Sequence, residues 1–385
     1  MDSKTMRIAA AAIAAAAVMA GCSKQDGEDK VDLSGQAKAA AKSAGLSGKE
    51  GKTLHIYTWS DYVAPEVLEG FKKALGVKVV IDTFDSNEAM YAKLKAGGTG
   101  YDIITPSSYF VPLMVREKLV RKLDHSKLPN VRPNFDKSFA DQVFDPTFEY
   151  NVPYAVTYTG FMYRKDKVPA GVDVATWKVL DNPAFKGKVT LLDDIREVIG
   201  AGLMSLGYPL NSDKPVEIEA AVAQVLKWKQ NIRKFDAESY KTEVASGATW
   251  IGHGYSTDAT QVILGDEDEG NPPRKDIGFA LPKEGFVIAV DEMVIPVSAP
   301  EPELAYAFIN YVYTTEVAKA NMEYIMGPMP VKPGIAALDE DYRKKIVLDQ
   351  NVLKNGQVLR PIDDSPAVKA LYDKAWDRIK ATSAR

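Results

Sequence analysis

Cysteine and histidine are almost missing from this chain. One Cys (Cys22) and three His (His55, His125, His253) stand among 385 residues. A disulfide framework is thereby excluded, and zinc centres built on Cys and His nearly so. Positive charge is not in excess either: 48 Lys and Arg face 52 Asp and Glu, for a formal charge of −4. Sequence-independent binding to nucleic acid needs clustered cations, so that class is disfavoured. No P-loop, no complete Gly-x-Gly-x-x-Gly and no Gly-x-Ser-x-Gly elbow occurs. What remains is ordinary globular composition, 26% charged and 46% hydrophobic with 27 Gly and 22 Pro. It excludes a collagen-like, coiled-coil or fully disordered protein, and the length suits two or three domain-sized units.

The one Cys gives meaning to the start of the chain. Lys4 and Arg7 form a basic patch ahead of Ile8 to Met19, an unbroken apolar run of twelve residues. Such a run is too short to span a bilayer and suits the core of an export signal. It ends Met19-Ala20-Gly21-Cys22, which resembles a bacterial lipobox, with Met19 in place of the usual Leu. On this reading residues 1–21 are a lipoprotein signal and Cys22 is the lipidated N-terminus. The plainer alternative is a secretory signal cut near Ala20. Residues 1–21 carry Lys4, Arg7 and Asp2, net +1, so the exported body stands at −5. Residues 22–52 hold few large apolar side chains and read as a disordered tether, with a fleeting helix at Gln36–Ala44.

From Thr53 onward strands and helices alternate. Leu54–Tyr57 is β-rich, and Pro65 opens an amphipathic helix closed by Gly76. Val77–Phe84 and Tyr101–Pro106 read as strands around a helix Asn87–Ala96. After Val156 the pattern resumes with a strand Lys188–Leu192 and helices Ile195–Leu206 and Val216–Gln230. The apolar strand Phe286–Val297 and helices Glu303–Tyr313 and Ala367–Ile379 complete the body. Continuous apolar strands between helices signify an α/β fold with a parallel sheet covered on both faces. Ligands of such sheets bind beyond the carboxyl ends of the strands, which directs attention to five places. Trp59-Ser60-Asp61-Tyr62 joins a π face to a carboxylate, a pairing suited to an organic cation; it is equally a half-buried Trp on a loop. Ser107 and Tyr109 follow the next strand. Asp194 with Glu197 forms a helix capping box, placed where a ligand would arrive. Gly252-His253-Gly254-Tyr255-Ser256-Thr257-Asp258 is Gly-rich, so backbone can come close to something. Asp291 and Glu292 interrupt an apolar strand, which requires a partner. Asp266-Glu267-Asp268-Glu269 reads as a solvated acidic loop without EF-hand spacing.

Taken in order, Trp59–Tyr62, Tyr101-Asp102-Ile103-Ile104-Thr105-Pro106-Ser107-Ser108-Tyr109 and Leu191–Val198 resemble the periplasmic putrescine/spermidine-binding proteins of bacterial ABC importers. The similarity runs from about Thr53 to Ala381 and includes Leu281-Pro282-Lys283-Glu284-Gly285. It implies a two-lobed type II periplasmic-binding-protein fold with a hinge between the lobes, 53–155 plus 288–330 against 156–287 plus 331–385. It also implies that Trp59 and Tyr62 wall a cleft which Ser60, Ser107 and Tyr109 help to line, and that Asp61 takes an ammonium group. Asp194 and Glu197 would receive amine from the opposite lobe, with Tyr255 where the family usually has Trp, and Asp258 matching an acid found in the putrescine-preferring members. Asp291 would grip the amine beside the hinge. Ala289 and Gly327 stand where large aromatics are usual, which predicts a wider cleft, with Met326 and Met329 the nearest residues to fill it. The expectation is a monomeric, lipid-anchored periplasmic binder of polyamines that serves an ABC permease, does no chemistry and needs no cofactor or metal. The alternatives are a binder of another amine, an amino acid or a betaine, and, in a different class, a lipoprotein hydrolase.

Overall fold

The computed structural model describes residues 32–143, 145–265, 271–362 and 365–381. Cys22, the signal segment and the acidic run Asp266–Glu269, with its Asp268, lie outside these residues. Ten strands form among the described residues: β1 (Thr53–Thr58), β2 (Lys78–Thr83), β3 (Ile103–Ile104), β4 (Asn151–Arg164), β5 (Val189–Leu191), β6 (Ile232–Phe235), β7 (Ile251–Tyr255), β8 (Ile277–Ala280), β9 (Phe286–Val294) and β10 (Gly356–Val358). They line up as β2-β1-β3-β9-β4-β7-β5-β6, with β10 on β9 and β8 on β4.

The all-parallel expectation holds only in the two arms. β2-β1-β3 and β7-β5-β6 are parallel, as their helical crossovers require. Between them the β3–β9, β9–β4 and β4–β7 pairs are antiparallel. β4 joins the arms. Its first half, Asn151–Tyr158, pairs with β9, and its second half, from Thr159, pairs with β7 and β8. A bulge between Pro153 and Ala155 bends it on the β9 side.

Two large apolar cores flank this crossover, as a two-lobed protein requires. One gathers Ile56, Phe71, Ile103, Phe308 and Tyr311; the other gathers Trp177, Leu191, Ile199, Val222 and Trp228. Ile335, Leu338 and Ile346 belong to the first core, whereas Leu359, Tyr372 and Ile379 belong to the second. The chain therefore passes to the second core between 346 and 359, later than the boundary at 330 taken from the resemblance. Helix Lys332–Ala337 seats Gly334 against the Ala318 methyl of helix Thr315–Ile325, and that packing keeps it with the first core.

The tether reading fails from residue 33 onward. Helix Ser34–Ser43 buries Leu33, Ala37, Ala40 and Ala41 completely or nearly so. Asn310 donates to the Ala40 carbonyl (3.1 Å) and the Ser43 hydroxyl (2.8 Å). Gly70 makes the seat: a side chain there would meet the Tyr311 hydroxyl and Leu33 within 3 Å. Small alanines pack close without large apolar residues, so composition understates how much this stretch buries. Lys49 and Lys52 then pair with Glu301 at 2.7 and 3.2 Å.

Candidate functional site

The carboxyl ends of the arms converge on a cleft of about 200 Å³. Trp59, Ser60, Asp61, Tyr62, Ser107, Tyr109, Asp194, Glu197, Tyr255, Asp258 and Asp291 all line it, so the structure brings together the eleven residues that the resemblance implies as ligand contacts.

Asp291 is the most tightly held. It lies mid-strand on β9, 6% exposed, with a backbone bridge to Ser107. The Ser107 hydroxyl donates to Oδ1 at 2.7 Å and the Tyr62 hydroxyl donates to Oδ2. Burial pushes its carboxyl up to about 6 although both hydrogen bonds favour the anion. Its neighbour Glu292 points to the other face of the strand, fully buried, and accepts from Asn151 at 3.0 Å. Asp291 thus meets its need for a partner with two hydroxyl donors.

Asp194 is the N-cap of helix Ile195–Ser205 and accepts from the backbone N–H groups of Arg196 (2.8 Å) and Glu197 (2.9 Å). Capping and a place in the cleft coincide, and burial raises its carboxyl. Glu197, 3% exposed, accepts from the Thr159 hydroxyl at 3.0 Å through Oε1, while its buried Oε2 has no partner. Burial, and then the nearby Asp194 charge, push it up to about 8. A carboxylate held this way is costly until a cation arrives.

The aromatic walls are fixed from behind. Trp59 meets Phe84 edge-on with centroids 4.4 Å apart, and Tyr62 leans on Tyr154 at 5.4 Å. Tyr109 lies under the Arg196 guanidinium, 5.1 Å from the ring centroid, and its hydroxyl accepts from Asn87 at 3.2 Å. Asp61 is exposed at the mouth, in a left-handed conformation (φ 53°). Asp258 is already engaged: Tyr240 donates to it at 2.6 Å and the Lys241 ammonium lies 3.2 Å away.

The Gly-rich segment approaches a tyrosine, not a ligand. A side chain at Gly254 would overlap the Tyr240 ring (2.0 Å) and one at Gly252 would touch it (3.1 Å). That close approach lets the Tyr240 hydroxyl receive the Tyr255 N–H (2.9 Å) as it donates to Asp258. Gly327 does not line the cleft either, because Thr257 fills the space: its methyl would lie 2.6 Å from a side chain added there. Ala289 does line it, together with Ile325 and Leu359 rather than Met326 or Met329.

Several contributors escaped the sequence reading. Asn87, nearly buried, orders the Ser107 backbone (2.9 Å) as well as the Tyr109 hydroxyl. Thr157 enters from β4, and Lys241 from helix Tyr240–Ser246. The rule that ligands meet strand ends would have found Phe84 and Asp85 after β2 and Ala237 and Glu238 after β6, had β6 been recognised. Its four residues, Ile-Arg-Lys-Phe, are too few and too charged to read as a strand.

Two lobes joined by a crossover strand, with a polar and aromatic cleft between them, define a two-lobed periplasmic-binding-protein fold. The chain belongs to the bacterial extracellular solute-binding protein family, whose model matches residues 66–347. It is 33% identical to the spermidine/putrescine-binding periplasmic protein of Escherichia coli over 354 residues, 89% of this chain and 97% of the relative. A solved putative spermidine/putrescine ABC transporter from Listeria monocytogenes superposes with TM-score 0.77 at 33% identity, covering 86% of this chain and 99% of the other. The Tp0655 lipoprotein of Treponema pallidum superposes with TM-score 0.74 at 30% identity, covering 85% and 99%. These are substrate-binding transport proteins, so the chain is a binder and not an enzyme, and the hydrolase alternative is set aside. Among the described residues no helix is long and apolar enough to cross a membrane.

Proposed function

We propose that the protein captures a small organic polycation, of the putrescine and spermidine class, outside the cytoplasm and presents it to an ABC permease. The observation that carries this reading is the set of buried carboxylates facing one cleft from both lobes. Asp291 stands on one side, held by hydroxyls alone, and Asp194 and Glu197 stand on the other. Ammonium groups entering between them would supply the missing charge, while Trp59, Tyr62 and Tyr255 offer π faces to the methylene chain and its charged ends. An amino acid or betaine brings a carboxylate that these acids would repel. Relatives that bind spermidine and putrescine at about one-third identity support the same class. The Cys22 context and a structural relative that is a lipoprotein support membrane anchoring through an N-terminal lipid.

A thermal-shift panel of diamines, longer polyamines, agmatine, amino acids and betaines tests the reading. A true ligand at about a thousand times its Kd adds roughly 4 kcal/mol of stability. Shifts confined to amino acids or betaines would overturn it.

A further inference from the structure

Arg196 stands between Asp194 and Glu197 in helix Ile195–Ser205, yet it does not line the cleft. Its guanidinium, buried behind the wall, donates to Asn211 Oδ1 at 2.9 Å and to the Arg360 carbonyl at 3.0 Å. It also lies over two rings, 5.1 Å from the centroid of Tyr109 and 5.8 Å from that of Tyr372. Tyr109 comes from the first arm, a few residues after β3. The short helix that follows it, Val111–Arg116, packs Val111 and Met114 with Tyr57 and Phe84 of that arm. The Tyr109 ring itself is gathered with Leu191 and Ile199 of the second core. Arg196 and Tyr109 therefore meet across the two lobes. On the first side the ring is tied onward: Asn87 donates to its hydroxyl at 3.2 Å and to the Ser107 hydroxyl at 3.1 Å, and Ser107 donates to Asp291.

We infer that Arg196 is a positioning residue, which never touches the ligand but holds the Tyr109 ring against the second lobe and so slows the opening of a loaded cleft. This rests on the polyamine reading proposed above. A cation over an aromatic face gains most where both are desolvated, and Arg196 and Tyr109 are 6% and 9% exposed. Two carbonyl oxygens fix the planar fork from behind, so little order has to be gained when the ring arrives. When the lobes part, the ring leaves with β3 and the fork stays with Asn211. The contact thus exists only while the cleft is shut. A contact of that kind retards release and leaves entry unchanged, so its effect falls on the dissociation rate.

The test is stopped-flow kinetics with putrescine on the full chain, in a double-mutant cycle that crosses Arg196→Met with Tyr109→Leu and with Tyr109→Phe, each variant checked for wild-type circular dichroism. Arg196 has a second effect, because its charge favours the ionised forms of Asp194 and Glu197, and Tyr109 itself lines the cleft. Both effects are present in single and double variants alike and cancel in the cycle. Arg196→Met should speed putrescine dissociation about fivefold more when Tyr109 is present than in the Tyr109→Leu background. Tyr109→Phe keeps the ring and should keep that excess. An excess below about threefold over the Leu background, or its loss in the Phe background, overturns the inference and leaves the polyamine reading standing. Wild-type protein that binds no amine overturns both. Should Arg196→Met misfold, Arg196→Gln, which retains an amide donor for Asn211, takes its place in the same cycle under the same thresholds.

Discussion

His253 gives the fold an acid sensitivity whose size follows from its surroundings. It sits mid-strand on β7, fully buried, with both ring nitrogens unpaired. Trp177 meets its ring edge-on at 5.4 Å and Phe161 lies 6.1 Å away. Desolvation pushes the imidazole down from the ordinary 6.5 to about 3. At pH 5 the unfolded chain therefore protonates this histidine and the folded chain does not. The unfolded state binds more protons, so stability rises with pH and falls as the solution is acidified below 6.5. Between pH 7 and pH 5, at about 1.4 kcal/mol per unit, the loss comes to about 2 kcal/mol. His253→Leu removes the titration and leaves no polar atom unpaired. Urea unfolding of both proteins across that range isolates the effect. Glu197, raised to about 8, acts in the opposite direction, because stability it contributes is lost as pH rises above its unfolded value. It is present in both proteins and cancels in the difference. Wild type should lose about 2 kcal/mol relative to the variant on going to pH 5. Parallel curves would refute the argument.

Other outcomes are equally open to measurement. Asp291→Asn should weaken amine binding by more than about tenfold, since losing a buried charge partner costs on the order of 2–5 kcal/mol. Asp173→Asn, an exposed acid paired with Lys283, should leave binding unchanged in the same calorimetry. Cys22→Ser should shift the protein from membrane to soluble fractions without altering its ligand affinity; a variant that still pellets with membranes argues against lipidation. Ala289→Phe should raise putrescine affinity by adding a cation–π face worth roughly 0.5–2 kcal/mol. Gly327→Tyr should instead lower the melting temperature, because its side chain would meet Thr257. If the two substitutions act alike on binding, the separate placement of these residues is wrong.

Much of the site was legible because a local pattern and a global rule agreed there. Asp291 announced itself as a charge inside an apolar strand, and Asp194 with Glu197 as a capping box after a strand end. Asn87 and Lys241 gave no such sign. Each looks like an ordinary residue in the first turn of a helix, and its meaning comes from Tyr109, twenty-two residues away, or Asp258, seventeen away. β4 was invisible for another reason. Its Pro153 and Gly160 argue against a strand, yet the proline sits at the bulge and the glycine faces the Ala280 carbonyl, where a side chain would come within 2.5 Å. Helix Ser34–Ser43 was misread because alanines, which bury well against a close neighbour, count for little in a hydrophobicity sum.

The acids of the two lobes also bear on when the cleft can shut. Asp291 lies between Val290 and Met293 of the first core, and Asp194 and Glu197 open the helix whose Val198 and Ile199 belong to the second. On the polyamine reading proposed above, bringing the lobes together without a ligand would crowd like charges into a space that excludes water, and burial already pushes Asp291 and Glu197 toward their protonated forms. An ammonium-bearing ligand does the same work with its own charge. Under the reading proposed here, occupied and empty protein then differ in proton content as well as in shape. Closure becomes a chemical exchange, ligand in and protons out, so a more alkaline periplasm would favour loading and a more acidic one release.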